Sequence, residues 1–400
     1  MKVTFPDIGY AGLAAGILFR DLGVDYVPTP SPEGAEEREA FRDAPEDMCM
    51  PFKLFLAELD EAWRRGADTV IMPSSRGPCR LGEFCELLRV ILERRGCHYR
   101  WIVLDVPSDI GFRELLRRAS SILPEKWKKK RNVGRLLGKL HNTYHLLKQM
   151  ESFEAELRRN AGYYDEPEVA NELISSCAAE LSEAADLEEA FDVMGRYRWK
   201  KARLTPNFSH SPVKIAITGE IFTLNEPYAN RRIEDRLTEL GVCLEKDITL
   251  TWWMKKIVGN PLRRFSPAER LQGRGGREKP GGGKELSEKL FGRSYLGCEI
   301  GGYTKDSVAY AASGRLRGFD GVIQIFPAGC MPEIVGRSIL NRVSEAEDIR
   351  IMTLIYDEMS GEAGYLTRIE AFADMLERRK KNETEENRAT GKNRKAEENR

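Results

Sequence analysis

Short apolar runs alternate with amphipathic helical patterns at both ends of this chain, and they are missing from its middle. In the first block, apolar runs at Val3–Ile8 and Thr69–Met72 lie on either side of helical spacing at Ala11–Leu22. This alternation predicts parallel strands covered by helices on both faces of a sheet. The alternation returns after residue 212, whereas residues 111–203 carry only long, charge-laced helical patterns.

The length of the chain predicts more than one domain. It has 400 residues, which exceeds the ~100–200 residues of one ordinary domain. We predict a first α/β domain at 1–110, a helical connector at 111–205, a second α/β domain at 206–380 with a Gly-rich basic loop near 255–295, and a charged tail at 381–400. The tail lacks large apolar residues, so we predict it to be disordered.

A local signature occurs once in each α/β block. Residues Gly66–Pro73 read GADTVIMP, and residues Gly318–Pro327 read GFDGVIQIFP. Each copy predicts a turn, a buried strand and a proline, and a cysteine follows within a few residues, at Cys79 and at Cys330. Chance similarity over so few positions is one interpretation. Two structurally similar domains are the interpretation we favour.

The charge balance and the apolar runs exclude some partners. Lys and Arg number 63 and Asp and Glu number 63, so the formal net charge is zero. A basic field typical of nucleic-acid binding is absent, and the run at Lys126–Arg131 is more typical of a solvated helix face. No apolar run reaches the ~18 residues of a membrane span, and the N-terminal sequence shows no secretory signal. We therefore expect a cytoplasmic protein with reduced cysteines and no nucleic-acid or membrane partner.

Three of the eight cysteines lie where a loop enters a predicted helix. Cys-Met-Pro occurs twice, at Cys49 and Cys330, and proline suits the first turn of a helix because it lacks an N–H. Cys79 lies in the same setting, just before a helix that starts near Leu81. Free N–H groups and the helix dipole favour thiolate there. The other five are interpreted as buried or incidental thiols: Cys85, Cys97, Cys177, Cys243 and Cys298. Of these, Cys85 is a weaker candidate for the same site.

The spacing of the three cysteines limits the kinds of metal site that they could form. The chain has no Cys-x₂-Cys pair of the kind that structural zinc sites use, and no ferredoxin-type cysteine run. Three widely spaced cysteines fit an iron–sulfur cluster with one iron left open, and unrelated core thiols are the alternative. The sequence also lacks a phosphate-binding loop, a dinucleotide-binding glycine pattern and a nucleophile elbow.

Short motifs then follow one another along the chain: CMPFK at 49–53, GPCRLGEF at 77–84, GEIF at 219–222, CMPEI at 330–334, DEMSGEAG at 357–364 and TRIEAF at 367–372. In this order they resemble the family of 2-hydroxyacyl-CoA dehydratases and acyl-CoA dehydratase activase-related proteins, over residues 1–110 and 212–378. The resemblance implies two flavodoxin-like α/β domains with a helical insert. It also implies a 4Fe-4S cluster bound by Cys49, Cys79 and Cys330.

The same resemblance implies an activity and partners. The cluster would accept low-potential electrons from an actin-like ATPase activator with its own iron–sulfur cluster, for reduction or dehydration of a thioester-type substrate. A paralogous subunit or a second copy of the chain is a further implied partner. Charged residues in these motifs are candidates to surround the cluster or contact substrate: Lys53, Arg80, Glu220, Glu333 and Arg368.

Two other functions stay open at this stage. One is a non-catalytic iron–sulfur protein, either an electron carrier or a redox-sensing module. The segment Gly301–Tyr303 favours it, because the family is expected to have Gly-Gly-His there. The other is a protein whose cysteines bind no metal and whose α/β domains bind a nucleotide or a CoA fragment.

Overall fold

Two parallel β-sheets, one from each end of the chain, organise the molecule. The computed structural model describes residues 1–29, 35–73, 79–104, 110–256, 294–298, 300–357 and 361–398. The first sheet contains, in spatial order, β1 (Val3–Thr4), β2 (Thr69–Pro73) and β3 (Arg100–Leu104). The second contains β4 (Lys214–Gly219), β5 (Cys243–Lys246), β6 (Gly321–Pro327) and β7 (Arg350–Tyr356), in the spatial order β5-β4-β6-β7.

The two sheets share a strand order. Tyr26 forms an isolated parallel bridge with Val3, inside the segment Val24–Val27 that the sequence predicts as a strand. If the Tyr26 segment is counted as the second strand of the first domain, the strands of each domain, numbered along the chain, lie in the spatial order 2-1-3-4. This is the order of flavodoxin-like folds. The predicted class, two parallel-sheet α/β domains with a helical segment between them, is confirmed.

The repeated signature occupies the same place in both domains. Asp68 precedes β2, and its carboxylate accepts a hydrogen bond from the Lys2 N–H, just before β1, at 3.0 Å. Asp320 precedes β6, and its carboxylate accepts a hydrogen bond from the Lys214 N–H, at the start of β4, at 2.8 Å. In both cases the aspartate N–H bonds back to the carbonyl of the same lysine. The internal repeat is therefore present in the hydrogen bonds of the structure.

Helices cover the sheets and fill the middle of the chain. The first domain contains α1 (Ala11–Leu22), α2 (Ala35–Asp43), α3 (Met50–Arg64), the 3₁₀ helix Arg80–Glu83 and α4 (Phe84–Arg94). The middle contains α5 (Phe112–Ser120), α6 (Glu125–Lys128), α7 (Val133–Asn160), α8 (Val169–Glu183) and α9 (Leu187–Ala202), with 3₁₀ turns at Lys130–Asn132 and Ala161–Tyr163. The second domain contains α10 (Ile221–Asn225), α11 (Ile233–Glu239), α12 (Leu250–Met254), α13 (Thr304–Ala312), α14 (Met331–Ala346) and α15 (Glu362–Glu398).

The helical middle of the chain contacts both domains. Ile17 of α1 and Leu146 of α7 belong to one buried core, which also includes side chains of α8 and α9. On the other side, the buried Arg158 of α7 donates to the Asp235 carboxylate and, at 2.9 Å, to the Thr238 hydroxyl, both on α11. A buried guanidinium needs such partners, because an unpaired buried charge is strongly destabilising. The helical segment thus fixes the first domain relative to the second.

The chain after β4 differs from the sequence-based prediction. The helical pattern at 226–240 predicts one helix, whereas the chain forms two short ones: α10, which ends at Asn225 before this range, and α11, which covers only residues 233–239 of it. The first begins early because the Glu220 carboxylate accepts hydrogen bonds from its leading N–H groups. Before the second, Arg231 and Arg232 have φ values of 55° and 53°, a left-handed conformation that interrupts a right-handed helix.

The Gly-rich basic loop and the C-terminal tail are two charged segments with sequence-based predictions of their own. The Gly-rich basic loop near 255–295 lies almost entirely outside the described residues, as do residues 358–360 of one motif. The tail from Lys381 is predicted to be disordered, and the described part of it, to Glu398, belongs to α15. The tail is rich in Glu, Lys and Arg, which favour helix, and contains no proline. None of the helices in the described parts of the chain is long and apolar enough to cross a membrane.

Candidate functional site

Each of the three selected cysteines is the N-cap residue of a helix. Cys49 precedes α3, Cys330 precedes α14, and Cys79 precedes the 3₁₀ helix Arg80–Glu83. A proline lies in the first turn of both α3 and α14, as the Cys-Met-Pro pattern predicts. All three cysteines are half-buried. The predicted placement at helix N-termini is confirmed for all three.

The loops that carry these cysteines contact one another. The Arg80 guanidinium, next to Cys79, donates to the backbone carbonyl and the carboxylate of Asp47, in the loop that leads into α3. Gly329, which has a φ of 80°, brings the Cys330 loop against the same segment. A β-carbon added to Gly329 would lie 3.2 Å from the Asp47 carbonyl oxygen. Two of these loops follow the carboxyl ends of strands, where open α/β sheets bind ligands.

Burial dominates the electrostatics of the three thiols. It raises the pKa of Cys49 to about 12, and it also raises the pKa values of Cys79 and Cys330. The nearby Glu220 carboxylate raises all three further, and backbone N–H groups at the start of each helix lower them. The sequence analysis suggests that the helix N-termini favour thiolates. The effect of burial on the pKa values is larger, so the helix N-termini alone do not produce thiolates here. A metal that binds here must displace the thiol protons.

Glu220 lies between β4 and α10, beside the cysteines. Its carboxylate accepts hydrogen bonds from the N–H groups of Phe222 and Thr223, at 2.9 and 2.8 Å, and from the Thr223 hydroxyl at 2.9 Å. Burial raises the pKa of Glu220, and these hydrogen bonds lower it. The second domain thus contributes a carboxylate that is fixed by hydrogen bonds and raises the pKa of each thiol.

Glu333 lies behind Cys330, in the first turn of α14, and is 1% exposed. Its carboxylate accepts hydrogen bonds from the Thr304 hydroxyl at 2.9 Å, the Ser307 hydroxyl at 3.4 Å and the Gln324 amide at 2.8 Å. Burial raises the pKa of Glu333 to about 7, and the hydrogen bonds from Gln324 and Thr304 lower it. These contacts show Glu333 anchoring the Cys330 loop to the sheet.

A cavity of about 490 Å³ opens beside the cysteine loops, between the two domains. Two of the predicted charged residues line it, the buried Lys53 of α3 and Arg80. Its described walls also contain apolar and acidic side chains, among them Met48, Met50, Met331, Ile334, Glu46, Asp47 and Asp357. Cationic groups beside methionines suit a ligand with an anionic or carbonyl oxygen and an apolar portion.

Arg368 is placed differently from the other charged candidates. It lies on α15, where its guanidinium donates to the Thr353 carbonyl of β7 at 2.8 Å. It is not among the described residues that line the cavity. Its contact ties the last helix to the edge strand of the second sheet.

None of the other five cysteines caps one of these three helices. Four are buried, and Cys298 is exposed. Cys85 belongs to the core of the first domain. The Cys97 sulfur lies 3.4 Å from an Asp60 oxygen, and the Cys177 sulfur lies 3.8 Å from a methionine sulfur in the helical segment. Each of these buried thiols is held in packing of its own domain.

The three thiols are the candidate ligands at this site for a metal cofactor. Within the described ranges, no group of three or more His, Cys, Asp or Glu side chains is placed to hold one metal ion. A cluster spans its ligands over a wider distance than one ion does. Thiols are the ligands of such clusters, and Cys49, Cys79 and Cys330 each lie at a helix N-terminus, which favours negative charge. The residues present therefore fit a cluster held between the two domains.

No protein-family model matches the chain, and no curated protein matches it. Its function is therefore inferred from the cysteine site, the cavity and the sequence motifs together.

A group of carboxylates that the sequence did not reveal lies where the domains meet. Asp7 follows β1, Glu58 lies on α3, and Glu226 follows α10. The Glu58 carboxylate accepts the Asp7 N–H at 3.1 Å, and the Glu226 carboxylate accepts the Gly9 N–H at 3.2 Å. Burial raises the pKa of all three, that of Asp7 to about 7, and mutual repulsion adds to the shifts of Asp7 and Glu58. These residues are far apart in sequence, so no local pattern indicates them.

Proposed function

We propose that the chain is an iron–sulfur protein in which Cys49, Cys79 and Cys330 bind a 4Fe-4S cluster between two flavodoxin-like domains. The observation that carries the proposal is that all three thiols cap helices on loops that meet around Asp47. When bound, the cluster supplies one-electron chemistry and a Lewis-acidic iron.

The cavity beside the cysteines supports an enzyme over an electron carrier, because a carrier needs no ligand cavity. Lys53, which is 5% exposed, is suited to hold a carbonyl or anionic oxygen of a substrate. Arg80 keeps the Cys79 loop against Asp47. The methionines accommodate an apolar acyl portion. We therefore propose a dehydratase-like lyase or a low-potential reductase that acts on a thioester-type substrate.

An electron donor must reach this site. We propose the actin-like ATPase activator that the sequence motifs imply, with its own iron–sulfur cluster. Met331, Ile334 and Val335 of α14 follow Cys330 and are 53, 49 and 41% exposed, which gives a partner an apolar surface. Free thiols and an oxygen-sensitive cluster suit a reducing compartment, so we propose a cytoplasmic location.

Substitution of single cysteines tests the cluster assignment. We expect Cys49→Ala, Cys79→Ala and Cys330→Ala each to lose most of the iron and sulfide that the wild type binds on anaerobic reconstitution, because each removes one ligand. The matched control is Cys177→Ala, which removes a buried cysteine of the helical segment and should keep the iron. Equal loss in all four variants, or full retention in the first three, contradicts the assignment.

Turnover separates the enzyme from the carrier. The reduced protein, mixed with the ATPase partner and acyl-CoA thioesters, is expected to convert a thioester. Sustained electron transfer from the partner without conversion of any thioester in the panel favours the non-catalytic carrier.

A further inference from the structure

The internal repeat gives the cysteine site a fourth helix N-terminus. In the first domain, Cys49 caps α3, the helix that leads into β2. In the second domain the helix that leads into β6 is α13, and its N-cap is Tyr303. Since β2 and β6 hold the same position in their sheets, Tyr303 is the counterpart of Cys49, just as Cys330 is the counterpart of Cys79.

Contacts place the start of α13 against the cysteine loops. A β-carbon added to Gly302 would lie 3.1 Å from the Pro332 β-carbon, in the first turn after Cys330. The Ser307 hydroxyl, one turn into α13, lies 3.4 Å from the Gly219 carbonyl oxygen, next to Glu220. Tyr303, which connects Gly302 to α13, therefore lies between the loop of Cys330 and the loop of Glu220.

The Tyr303 side chain is held by two tryptophans. Its ring packs edge-on against the Trp252 ring, with 5.4 Å between centroids. A side-chain hydrogen bond from Trp253 acts on its hydroxyl. An indole N–H only donates, so the phenol oxygen is the acceptor of this bond.

The surroundings of the hydroxyl keep it protonated. Burial raises the pKa of Tyr303, and the Asp306 carboxylate on α13 adds to that effect, as do the nearby Cys79 thiol and Glu220 carboxylate. Both of these groups belong to the cysteine site, so the phenol lies within electrostatic range of it. A phenol that keeps its proton is a hydrogen-bond donor rather than an anionic metal ligand.

We propose that the Tyr303 hydroxyl is a fourth group of this site, a hydrogen-bond donor that faces the space between the Cys330 and Glu220 loops. Its ligand there is an oxygen atom of the substrate, of hydroxyl, carbonyl or carboxylate type. This inference rests on the proposed cluster at Cys49, Cys79 and Cys330. It assigns Tyr303 a positioning role that neither a cysteine nor Glu333 provides.

Removal of the hydroxyl alone tests the inference. Tyr303→Phe and the matched control Tyr295→Phe, whose hydroxyl bonds to Glu347, are reconstituted anaerobically, and the reduction potential and the iron content are measured. We expect Tyr303→Phe to bind as much iron as the wild type and to shift to a lower potential. The reason is that a donor near a cluster stabilises the added electron. Tyr295→Phe should match the wild type in both quantities.

The other outcomes are distinct. A potential unchanged in Tyr303→Phe overturns the inference, since the hydroxyl then does not face the cluster. Loss of iron in Tyr303→Phe but not in Tyr295→Phe also overturns it, because Tyr303 would then support the fold or bind iron directly. Failure of the wild type itself to bind iron overturns the proposed function, and this inference with it.

Discussion

At the scale of single residues, Glu333 is the most constrained charged group near the cysteines. It is 1% exposed, and three polar side chains donate to its carboxylate. Because Thr304, Ser307 and Gln324 come from two other elements, one side chain joins α14 to α13 and β6. The position of Cys330 therefore depends on a polar network rather than on apolar packing alone.

Truncation of Glu333 should be costly, and amide replacement should not. We expect Glu333→Ala to lower the free energy of unfolding by about 2–3 kcal/mol, because it leaves three buried donors without their acceptor. Glu333→Gln keeps an acceptor for Gln324 and avoids burying a charge, so its loss should be smaller at pH 8. Denaturant unfolding of both variants measures the difference. A loss in Glu333→Gln as large as that in Glu333→Ala would contradict the role given to the retained acceptor.

At the scale of elements, Gly219 at the end of β4 couples the sheet to Glu220. Its φ is 139°, and an added β-carbon would lie 1.8 Å from the Ile325 carbonyl oxygen of β6. Only glycine accepts both the conformation and the close approach of the neighbouring strand. The sharp turn into the Glu220 loop therefore depends on this residue.

Alanine substitutions at two glycines should have opposite effects. Gly219→Ala is expected to lower the free energy of unfolding by more than about 3 kcal/mol, because the clash forces β4 away from β6. The control Gly195→Ala lies within α9, where an added β-carbon meets nothing within 4 Å. It should raise the stability by about 0.5–1 kcal/mol. A Gly219→Ala protein as stable as the wild type contradicts the packing of these two strands.

Much of the fold was predictable because its signals are local. The apolar periodicity gave α1 with its observed bounds, and Gly23, with a φ of 70°, ends that helix as a glycine cap does. The interrupted helix after β4 was not predictable. A glutamate as N-cap and two arginines in the left-handed region are uncommon choices, and the surrounding tertiary contacts, rather than periodicity, determine them.

The residues of the candidate site also differ in whether a local sequence signal indicates them. The Cys-Met-Pro pattern indicated Cys49 and Cys330, because a helix start is a local signal. The sequence singles out Tyr303 only as the residue where the resembled family is expected to have histidine, and this substitution indicates no role for the tyrosine itself. Its position within the internal repeat is a second feature that points to the same residue. Lys53 is a candidate from the sequence motifs, and only the structure shows that it is buried and lines the cavity.

At the scale of the whole molecule, the two domains meet across carboxylates. Gly9, after β1, approaches Asn225 at the end of α10 so closely that an added β-carbon would lie 2.5 Å from the Asn225 carbonyl oxygen. Glu58 is buried at this contact, and Asp7 and Glu226 are half-buried beside it. The interface that holds the cysteine loops together therefore carries an electrostatic cost when its carboxyl groups ionise.

This cost predicts a pH dependence of stability. The pKa of Asp7 is raised from 3.8 to about 7 in the folded protein, so the folded state binds a proton that the unfolded chain releases between about pH 4 and 7. The contribution of Asp7 is therefore present below pH 4 and is lost as the pH rises to about 7. Asp7→Asn keeps the acceptor for the Gly12 N–H and removes the charge.

We expect Asp7→Asn to gain stability relative to the wild type as the pH rises, by about 2 kcal/mol between pH 4 and pH 8 after allowance for the partial exposure of Asp7. The matched control is Asp25→Asn, at an exposed aspartate of the same domain. Denaturant unfolding at several pH values measures both differences. A constant difference between Asp7→Asn and the wild type contradicts the assignment of a raised pKa.

The central claim is that three cysteines from two domains bind one cluster. Mössbauer spectroscopy of the wild-type protein, reconstituted anaerobically with ⁵⁷Fe and sulfide, tests it most directly because it counts irons and identifies the cluster type. We predict about four irons per chain with the parameters of a 4Fe-4S cluster. Their loss is predicted in the triple variant Cys49→Ala/Cys79→Ala/Cys330→Ala. A wild type without such a spectrum, or a triple variant that retains it, would contradict the account.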